Sequence, residues 1–302
     1  MASSINTNSG AAVALQSLQS TQRSLQETQG RIATGLKVNS AKDNAATWTV
    51  ATVIRTDIAN YKQVSENLST GSSIVSTAQA GAEQIAGLIS QIKAKVTSAQ
   101  DPTNASNVTQ IQADIDALTK QIDNTVKSSS FNGVNLLDGS VTSGTAASSA
   151  ANATGAEEFL SSVDKSAAGA STSNYISVDA LDLSTATGAM STLAGGSSSI
   201  ATAVSTPGST NYDAALTDLD TALTAATTAA AAYGTAAKQI DGQKQFVDKL
   251  TDTLTTGVGA LVDADMSQEA ARLQALQVQQ QLGTQALSIA NQAPQAILSL
   301  FK

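Results

Sequence analysis

The composition of this 302-residue chain is 41% hydrophobic but only 13% charged and 3% aromatic. An ordinary soluble domain has about 25% charged residues, so long helices packed through small side chains suit this sequence better than a core of bulky ones. The formal net charge is -8 without a basic cluster, which excludes a nucleic-acid-binding surface. Cysteine and histidine are both absent, and we therefore predict no metal site, no cofactor and no enzymatic activity.

The sequence also lacks the signals of membrane insertion and of standard secretion. No run of about 18 apolar residues is present, and the first residues have neither a basic region nor a continuous apolar segment. We therefore expect no membrane insertion and no cleaved signal peptide. Export from the cell would require a dedicated apparatus.

The N-terminal stretch from Ser3 to Leu36 predicts an amphipathic helix. Large apolar side chains recur on one face at heptad spacing: Leu15, Leu18, Leu25, Ile32 and Leu36. Its only charges are Arg23, Glu27 and Arg31. Neutral amides and hydroxyls cost less to bury than charges, so this helix is suited to being surrounded by protein.

Two further helices follow residues 37–48, which we interpret as a loop or a broken helix. The first is predicted from a heptad row that continues over six repeats: Ile54, Tyr61, Leu68, Val75, Ala82, Ile89 and Val96. A second row on this helix is interrupted at Asp57 and Gly71. Another helix is predicted from Asn104 or Ser106, and the dipeptide Asn132-Gly133 after it predicts a hairpin.

Residues 140–211 are dominated by Gly, Ala, Ser and Thr. We interpret them as a loosely packed surface insertion in which only residues 174–184 have strand character. Heptad spacing then returns from Leu216 to Leu261 and predicts a helix that pairs with the long helix starting near Ile54. Asp263 and Asp265 interrupt it; a calcium site there is poorly supported, and a polar joint between helices is favoured.

The last stretch, Met266 to Lys302, predicts a second charge-poor terminal helix, with only Glu269 and Arg272 charged inside it. Its heptad rows and the neighbouring apolar positions include Leu273, Leu276, Leu282, Leu287, Ile289 and Ile297. Together the patterns predict a mainly α fold, a long antiparallel coiled coil or helix bundle formed by the N- and C-terminal halves. A small β-containing variable insertion lies in the middle.

We predict three parts within this fold. Residues 1–45 and 262–302 form an inner domain of terminal helices, residues 46–139 and 212–261 form a helical shaft with the hairpin, and residues 140–211 form the variable insertion. The apolar positions of both terminal helices are the predicted subunit interface, because one seam alone barely offsets the entropy of ordering it. We therefore expect the termini to be disordered in a single chain and to fold on polymerisation.

Three stretches closely resemble bacterial flagellin: RIATGLKVNSAKDNAA from Arg31 to Ala46, SSFNGVNLLDG in the middle, and the tail from Ala270 to Lys302. The resemblance covers about residues 1–139 and 212–302. It implies an extracellular filament subunit that polymerises with other copies through its terminal helices and serves in motility. A hook-filament junction protein has similar ends and remains an alternative.

The resemblance also implies partners. These are the flagellar type III export apparatus, a chaperone for residues 268–302, a filament cap and hook-filament junction proteins. In flagellins recognised by Toll-like receptor 5, a shaft segment carries a key arginine; Leu88 to Thr97 is the matching segment here, with Ser90 at that place. We expect weak or no recognition by this receptor.

The joint between terminal helix and shaft carries a polar motif: Arg31, Lys37, Asn39, Lys42 and Asp43. Its charges are interpreted either as ion pairs between subunits or as solvated loop charges, and the sequence leaves both open. The flagellin motif commonly continues with Gly-Leu-Ala-Ile, whereas this chain has Thr47 to Val50. The packing at this joint is therefore left undetermined by the resemblance.

Overall fold

The computed structural model describes residues 8–101, 106–141, 153–165, 171–185, 188–191, 193, 200, 204 and 211–298. In chain order the elements are α1 (Ser9–Thr34), α2 (Ala45–Ala99), α3 (Val108–Ser128), β1 (Ser130–Phe131), β2 (Val134–Asn135), β3 (Ala153–Lys165), β4 (Ser171–Leu181), α4 (Asn211–Val262) and α5 (Met266–Leu298). The mainly α fold class with a small β insertion is therefore confirmed. Asn104, proposed as a start for the third helix, lies outside the described residues, and α3 itself begins at Val108.

The chain divides into two compact units. The first contains residues 1–58 and 252–302, and the second contains residues 59–251. Both long helices, α2 and α4, contribute residues to both units. The predicted division into inner domain, shaft and insertion stays a prediction.

In the second unit, α2 and α4 run antiparallel in heptad register. Ser65 Oγ donates to Asp248 Oδ1 at 2.7 Å, and Ser72 Oγ donates to Asp241 Oδ1 at 3.0 Å. Seven residues forward along α2 thus match seven residues back along α4. The fully buried residues follow the same spacing: Leu68, Val75, Ala82, Ile89 and Val96 on α2, and Leu219, Ala226, Tyr233, Ile240 and Val247 on α4.

Gly71 interrupts the predicted heptad row because another side chain occupies that position. A Cβ on Gly71 would lie 2.7 Å from Cδ1 of the Phe159 ring, which belongs to β3. A Cβ on Gly81 would similarly lie 2.7 Å from Leu137 Cδ1. The two glycines therefore let the non-helical segments approach the backbone of α2 closely.

The predicted hairpin is present as β1 and β2, with Phe131 opposite Val134. Asn132 and Gly133 have φ angles of 51° and 82°, the left-handed conformation that a two-residue turn of this kind requires. Asn135 anchors the hairpin to α3, since its Nδ2 donates to the Val126 carbonyl at 2.7 Å. The turn dipeptide therefore has the role that the sequence indicated.

The insertion is packed more tightly than predicted. The strand predicted at residues 174–184 is confirmed as far as Leu181, where β4 ends; β4 pairs antiparallel with β3, which was not predicted. Phe159, Ile176 and Met190 are buried in one core with the helices of this unit. The description of a loosely packed surface insertion is therefore wrong for these residues, since they share the core of the helices.

Tyr233 of α4 binds both the segment after the hairpin and the insertion through its hydroxyl group. Its hydroxyl donates to the Leu136 carbonyl at 2.9 Å and accepts from the Leu181 backbone N–H at 3.2 Å. Burial raises the pKa of this phenol well above its ordinary value, so the hydroxyl stays protonated and neutral. A buried aromatic ring with both hydrogen-bonding functions satisfied is a rigid anchor for the segments around it.

Candidate functional site: the terminal helices and their joint

In the first unit, α1 packs antiparallel against α5, with polar contacts at both ends of the pair. Asn8 caps α1, because its Oδ1 accepts from the Ala11 backbone N–H at 3.1 Å. Its Nδ2 donates to the Ala290 carbonyl at 2.7 Å. At the other end, Arg31 Nη1 lies 3.1 Å from Glu269 Oε1. These contacts set the register of the two terminal helices.

The seam between these helices is incompletely buried. Leu276 is buried, while Leu18 and Leu287 are only half-buried. Gly283 permits close approach, since a Cβ there would lie 3.3 Å from Leu18 Cδ1. Leu25, Ile32 and Leu273 are half-buried as well. The pair therefore has an apolar seam that one chain covers only in part.

Three of the predicted interface residues are exposed to solvent. Leu15 is 45% exposed, Leu282 is 58% exposed and Ile289 is 69% exposed. Val13 and Val278 are also exposed and add to the apolar surface of the same two helices. Exposed apolar side chains that cluster on one element are typical of an interaction surface.

The remaining predicted interface residues have other positions. Leu36 packs with Val38, Ala51, Val258 and Val262 in a small separate cluster of the first unit. The Ile297 side chain lies outside the described residues. That the predicted interface residues contact other copies stays a prediction.

The joint between α1 and the rest of the first unit is held by main-chain hydrogen bonds. Gly35 ends α1 with a φ of 71°, and its N–H donates to the Arg31 carbonyl at 2.8 Å. The Lys37 and Val38 N–H groups donate to the Val262 carbonyl at 2.7 and 3.2 Å, and the Ala264 N–H donates to the Gly35 carbonyl at 2.9 Å. Residues 35–38 and 262–264 are thus paired like a short antiparallel bridge.

Arg31 forms its ion pairs within the chain. It binds Glu27 on α1 through one nitrogen and Glu269 on α5 through another. Glu269 is 7% exposed, so this contact is one of the few buried charged interactions of the unit. The sequence provided Arg31 as a candidate but not its partner, because the two residues lie 238 positions apart. Both helices carry few charges, so the small number of possible ion pairs between them is the one sequence signal that could have predicted the contact between Arg31 and Glu269.

Asp43 organises the loop that follows the joint. Its Oδ2 accepts from the Ser40 N–H at 2.9 Å, the Ser40 hydroxyl at 3.1 Å and the Asn39 N–H at 3.1 Å. The Ser40 N–H, the Ser40 hydroxyl and the Asn39 N–H hold the pKa of this carboxyl below its ordinary value, and the charge of Arg31 adds to the effect. Lys37 and Lys42 are exposed and form no ion pair with another described residue. Their role between subunits stays a prediction.

The described residues offer no metal centre. They contain no group of three or more His, Cys, Asp or Glu side chains that could hold a metal ion. Asp265 has a structural role instead, since its Oδ1 accepts from the Ser267 and Gln268 N–H groups at the start of α5. In the same described part of the chain, none of the helices has the length and apolar content needed to cross a membrane.

This architecture is that of a helical structural protein. Residues 5–142 match the family model of the bacterial flagellin N-terminal helical region, and residues 216–301 match that of the bacterial flagellin C-terminal helical region. The chain is 38% identical over 300 residues to flagellin FljM of Caulobacter vibrioides, covering 99% of this chain and 98% of the relative. It is 39% identical over 299 residues to a flagellin of Brucella melitensis, covering 99% of both.

A third relative, flagellin C of Rhizobium meliloti, is 35% identical over 330 residues and is also covered to 99% of both chains. The chain therefore belongs to the bacterial flagellin family. It is a structural subunit of the bacterial flagellar filament, which is an extracellular assembly. The resemblance drawn from the three sequence stretches is confirmed.

Proposed function

We propose that the pair formed by α1 and α5 is the polymerisation element of the filament. The observation that carries this proposal is the exposure of Leu15, Leu282 and Ile289 on two helices that together carry only five charges. Water is a poor solvent for such surfaces, and contact with other copies removes them from it. Leu18, Leu25, Ile32, Leu273, Leu276 and Leu287 then form the seam within each copy.

The same exposure supports disorder of the termini before assembly. A lone helix pair must offset the conformational entropy of ordering both segments with a seam that is only half-buried. Neighbouring copies supply the missing burial. Polymerisation and folding of the termini are therefore one coupled step, which is how an incompletely buried segment folds on binding.

Disordered termini are also the form that suits export and handling before assembly. In this proposal the chain leaves the cell through the flagellar type III apparatus, with residues 268–302 held by a chaperone beforehand. Assembly then takes place beneath the filament cap, beyond the hook-filament junction proteins. The family membership and the charge-poor α5 support these partners.

The direct test is removal of residues 268–302. We expect the truncated protein to remain soluble with a folded second unit, because residues 59–251 keep their own core. It should not form filaments when seeded, as judged by electron microscopy, while the full chain does. Filaments made by the truncated protein would falsify the mechanism.

The alternative is a hook-filament junction protein. The relatives described above are all named flagellin, and nothing in the structure favours the junction role over the filament role. The amount of this protein in sheared filaments separates the two. A main subunit forms the bulk of the filament protein, whereas a junction protein forms a trace at one end.

We further propose weak or no recognition by Toll-like receptor 5. Ser90 lies exposed on α2, and its hydroxyl donates to the Ala86 carbonyl at 2.9 Å. A short neutral side chain there cannot supply the bidentate, charged contacts of an arginine. Reporter cells should respond little to the purified protein, and a strong response would contradict the proposal. Ser90→Arg tests whether this position limits recognition.

A further inference from the structure

The joint of the terminal helices leaves one buried carboxylate oxygen without a partner. Glu269 Oε1 accepts from Arg31 Nη1 at 3.1 Å, but Glu269 Oε2 is buried and has no hydrogen-bond partner in the described part of the chain. Buried carboxylate oxygens normally accept hydrogen bonds, since their removal from water is otherwise uncompensated. The arrangement therefore calls for a donor from elsewhere.

Glu269 lines a cleft that can admit such a donor, and the buried Oε2 reaches a donor there once the carboxylate turns toward the cleft. The cleft has a volume of about 490 Å³ and lies at the joint, where α1 ends and α5 begins. Its lining residues are Arg31, Lys37, Asp263, Ala264, Asp265, Gln268, Glu269 and Arg272. A single water molecule takes about 30 Å³ of liquid volume, so the space is ample for a long side chain.

The negative charge of the Glu269 carboxylate favours a cation as the missing donor. Arg31 is already shared between Glu27 and Glu269, and Asp265 is occupied by backbone N–H groups of α5. Glu269 Oε2 is therefore a buried acceptor to which no described residue donates a hydrogen bond. Charge-assisted hydrogen bonds are the strong ones at such positions.

The two other cations of the cleft do not fill this role. Lys37 and Arg272 are exposed, and neither forms an ion pair with another described residue, Glu269 included. Elsewhere in the first unit, Arg23, Lys42 and Arg55 are also exposed and without an ion pair to any described residue. Each copy thus has a buried acceptor and several unused cationic donors.

We propose that the cleft receives a lysine or arginine side chain of a second copy, which binds Glu269 Oε2. This inference rests on the polymerisation proposed above and assigns one of its polar contacts. Arg31 then orients Glu269 within a copy, and the incoming cation joins that copy to its neighbour. Arg23, Lys42 and Arg55 are the candidate donors.

The test measures the critical concentration for filament formation with Glu269→Gln, alone and combined with Arg31→Gln. The proposal expects Glu269→Gln to raise this concentration about tenfold even in the Arg31→Gln background, because the contact to the second copy is lost in both cases. If the substitution has no further effect in that background, Glu269 serves Arg31 alone and the proposal is overturned. Glu27→Gln is the control, since Glu27 is an exposed partner of Arg31 outside the cleft.

A filament structure determined by electron cryomicroscopy supplies the second readout. A lysine or arginine nitrogen of a neighbouring copy within hydrogen-bond distance of Glu269 Oε2 supports the proposal. An ordered water, or Arg272 or Lys37 of the same copy, at that position overturns it. The thermal midpoint of the second unit should be unchanged in every variant, because Glu269 and Arg31 lie outside that unit.

The failure of this contact and the failure of the proposed polymerisation have different signatures. If Glu269→Gln polymerises like the parent while the chain lacking residues 268–302 does not, only the contact at Glu269 is disproved. If the truncated chain forms filaments, the terminal helices are not the polymerisation element, and the proposed function itself is disproved.

Discussion

At the scale of single residues, substitutions at Gly71 and Gly87 of α2 distinguish the effect of close packing on stability from the effect of helix preference. Gly71→Ala places a Cβ 2.7 Å from Cδ1 of the Phe159 ring, whereas a Cβ on Gly87 has nothing within 4 Å. We expect Gly71→Ala to lower the free energy of unfolding by about 1–3 kcal/mol. Gly87→Ala should raise it by about 0.5–1 kcal/mol, since alanine is the better helix former. Denaturant unfolding followed by circular dichroism compares the two, and equal effects would contradict the close contact.

Asp248 makes the stability of the second unit depend on pH. The Ser65 hydroxyl and then the Lys244 ammonium hold the pKa of this carboxyl below its ordinary value in the folded state. A carboxyl whose pKa is lowered on folding stabilises the protein above its unfolded pKa of about 3.9. The contribution is lost as the pH falls through the folded pKa, where the carboxyl is protonated in both states.

Asp248→Asn should therefore lower the thermal midpoint by about 1–3 °C at pH 7. The difference from the parent should shrink as the pH falls below about 4, because the parent then loses the same charge. Scanning calorimetry at several pH values measures this. Glu66→Gln is the control, since Glu66 is an exposed carboxylate of α2 whose side chain has no partner among the described residues. A difference that persists at low pH would show that the charge is not responsible.

Contacts between individual side chains that are distant in the sequence were the hardest feature to predict from the sequence. Gly71 was recognised as a break in the heptad row, but Phe159, which explains it, lies in a stretch dominated by small residues. The Arg31 contact with Glu269 spans 238 positions and has no local signature. Heptad spacing reports which face of a helix is buried, but it does not report which distant side chain covers that face.

At the scale of elements, heptad spacing predicted the long helices and their pairing. The rows are fully buried in antiparallel register from Leu68 to Val96 on α2 and from Leu219 to Val247 on α4, while Ile54 and Tyr61 of the α2 row are partly buried. β3 was missed because only Thr154, Phe159 and Val163 among its 13 residues are of the β-branched or aromatic types that indicate strands. It is ordered by pairing with β4 and by burying Phe159 against α2.

The outward apolar positions of α5 supply a prediction for this element. Leu282→Ser combined with Ile289→Ser should raise the critical concentration for polymerisation by at least about tenfold, because each side chain gains its burial only from other copies. The thermal midpoint of the second unit should not change. Gln281→Ser with Gln285→Ser is the matched control on the same exposed helix. Sedimentation of filaments from a concentration series measures the effect, and an unchanged value would remove these positions from the interface.

At the scale of the whole molecule, the two units should differ in stability before assembly. Residues 59–251 share one large core, whereas the terminal pair of the first unit has a half-buried seam and exposed apolar side chains. We expect amide hydrogens of α1 and α5 to exchange rapidly in the monomer and slowly in the filament. Those of α2 at Leu68 to Val96 should be protected in both. Mass spectrometry of exchanged peptides measures this, and firm protection of α1 and α5 in a monodisperse monomer would contradict coupled folding and polymerisation.

The bridge between residues 35–38 and 262–264 has a further consequence for how this family can vary. Its three hydrogen bonds join peptide groups, so they place almost no demand on the identity of the side chains around them. Proline is the exception, because it would delete the donor at Lys37, Val38 or Ala264. Homologous chains can therefore vary the exposed side chains of this bridge, such as Lys37, and still inherit the same connection between their two ends, while Gly35 is held by its positive φ and Val38 and Val262 by their burial.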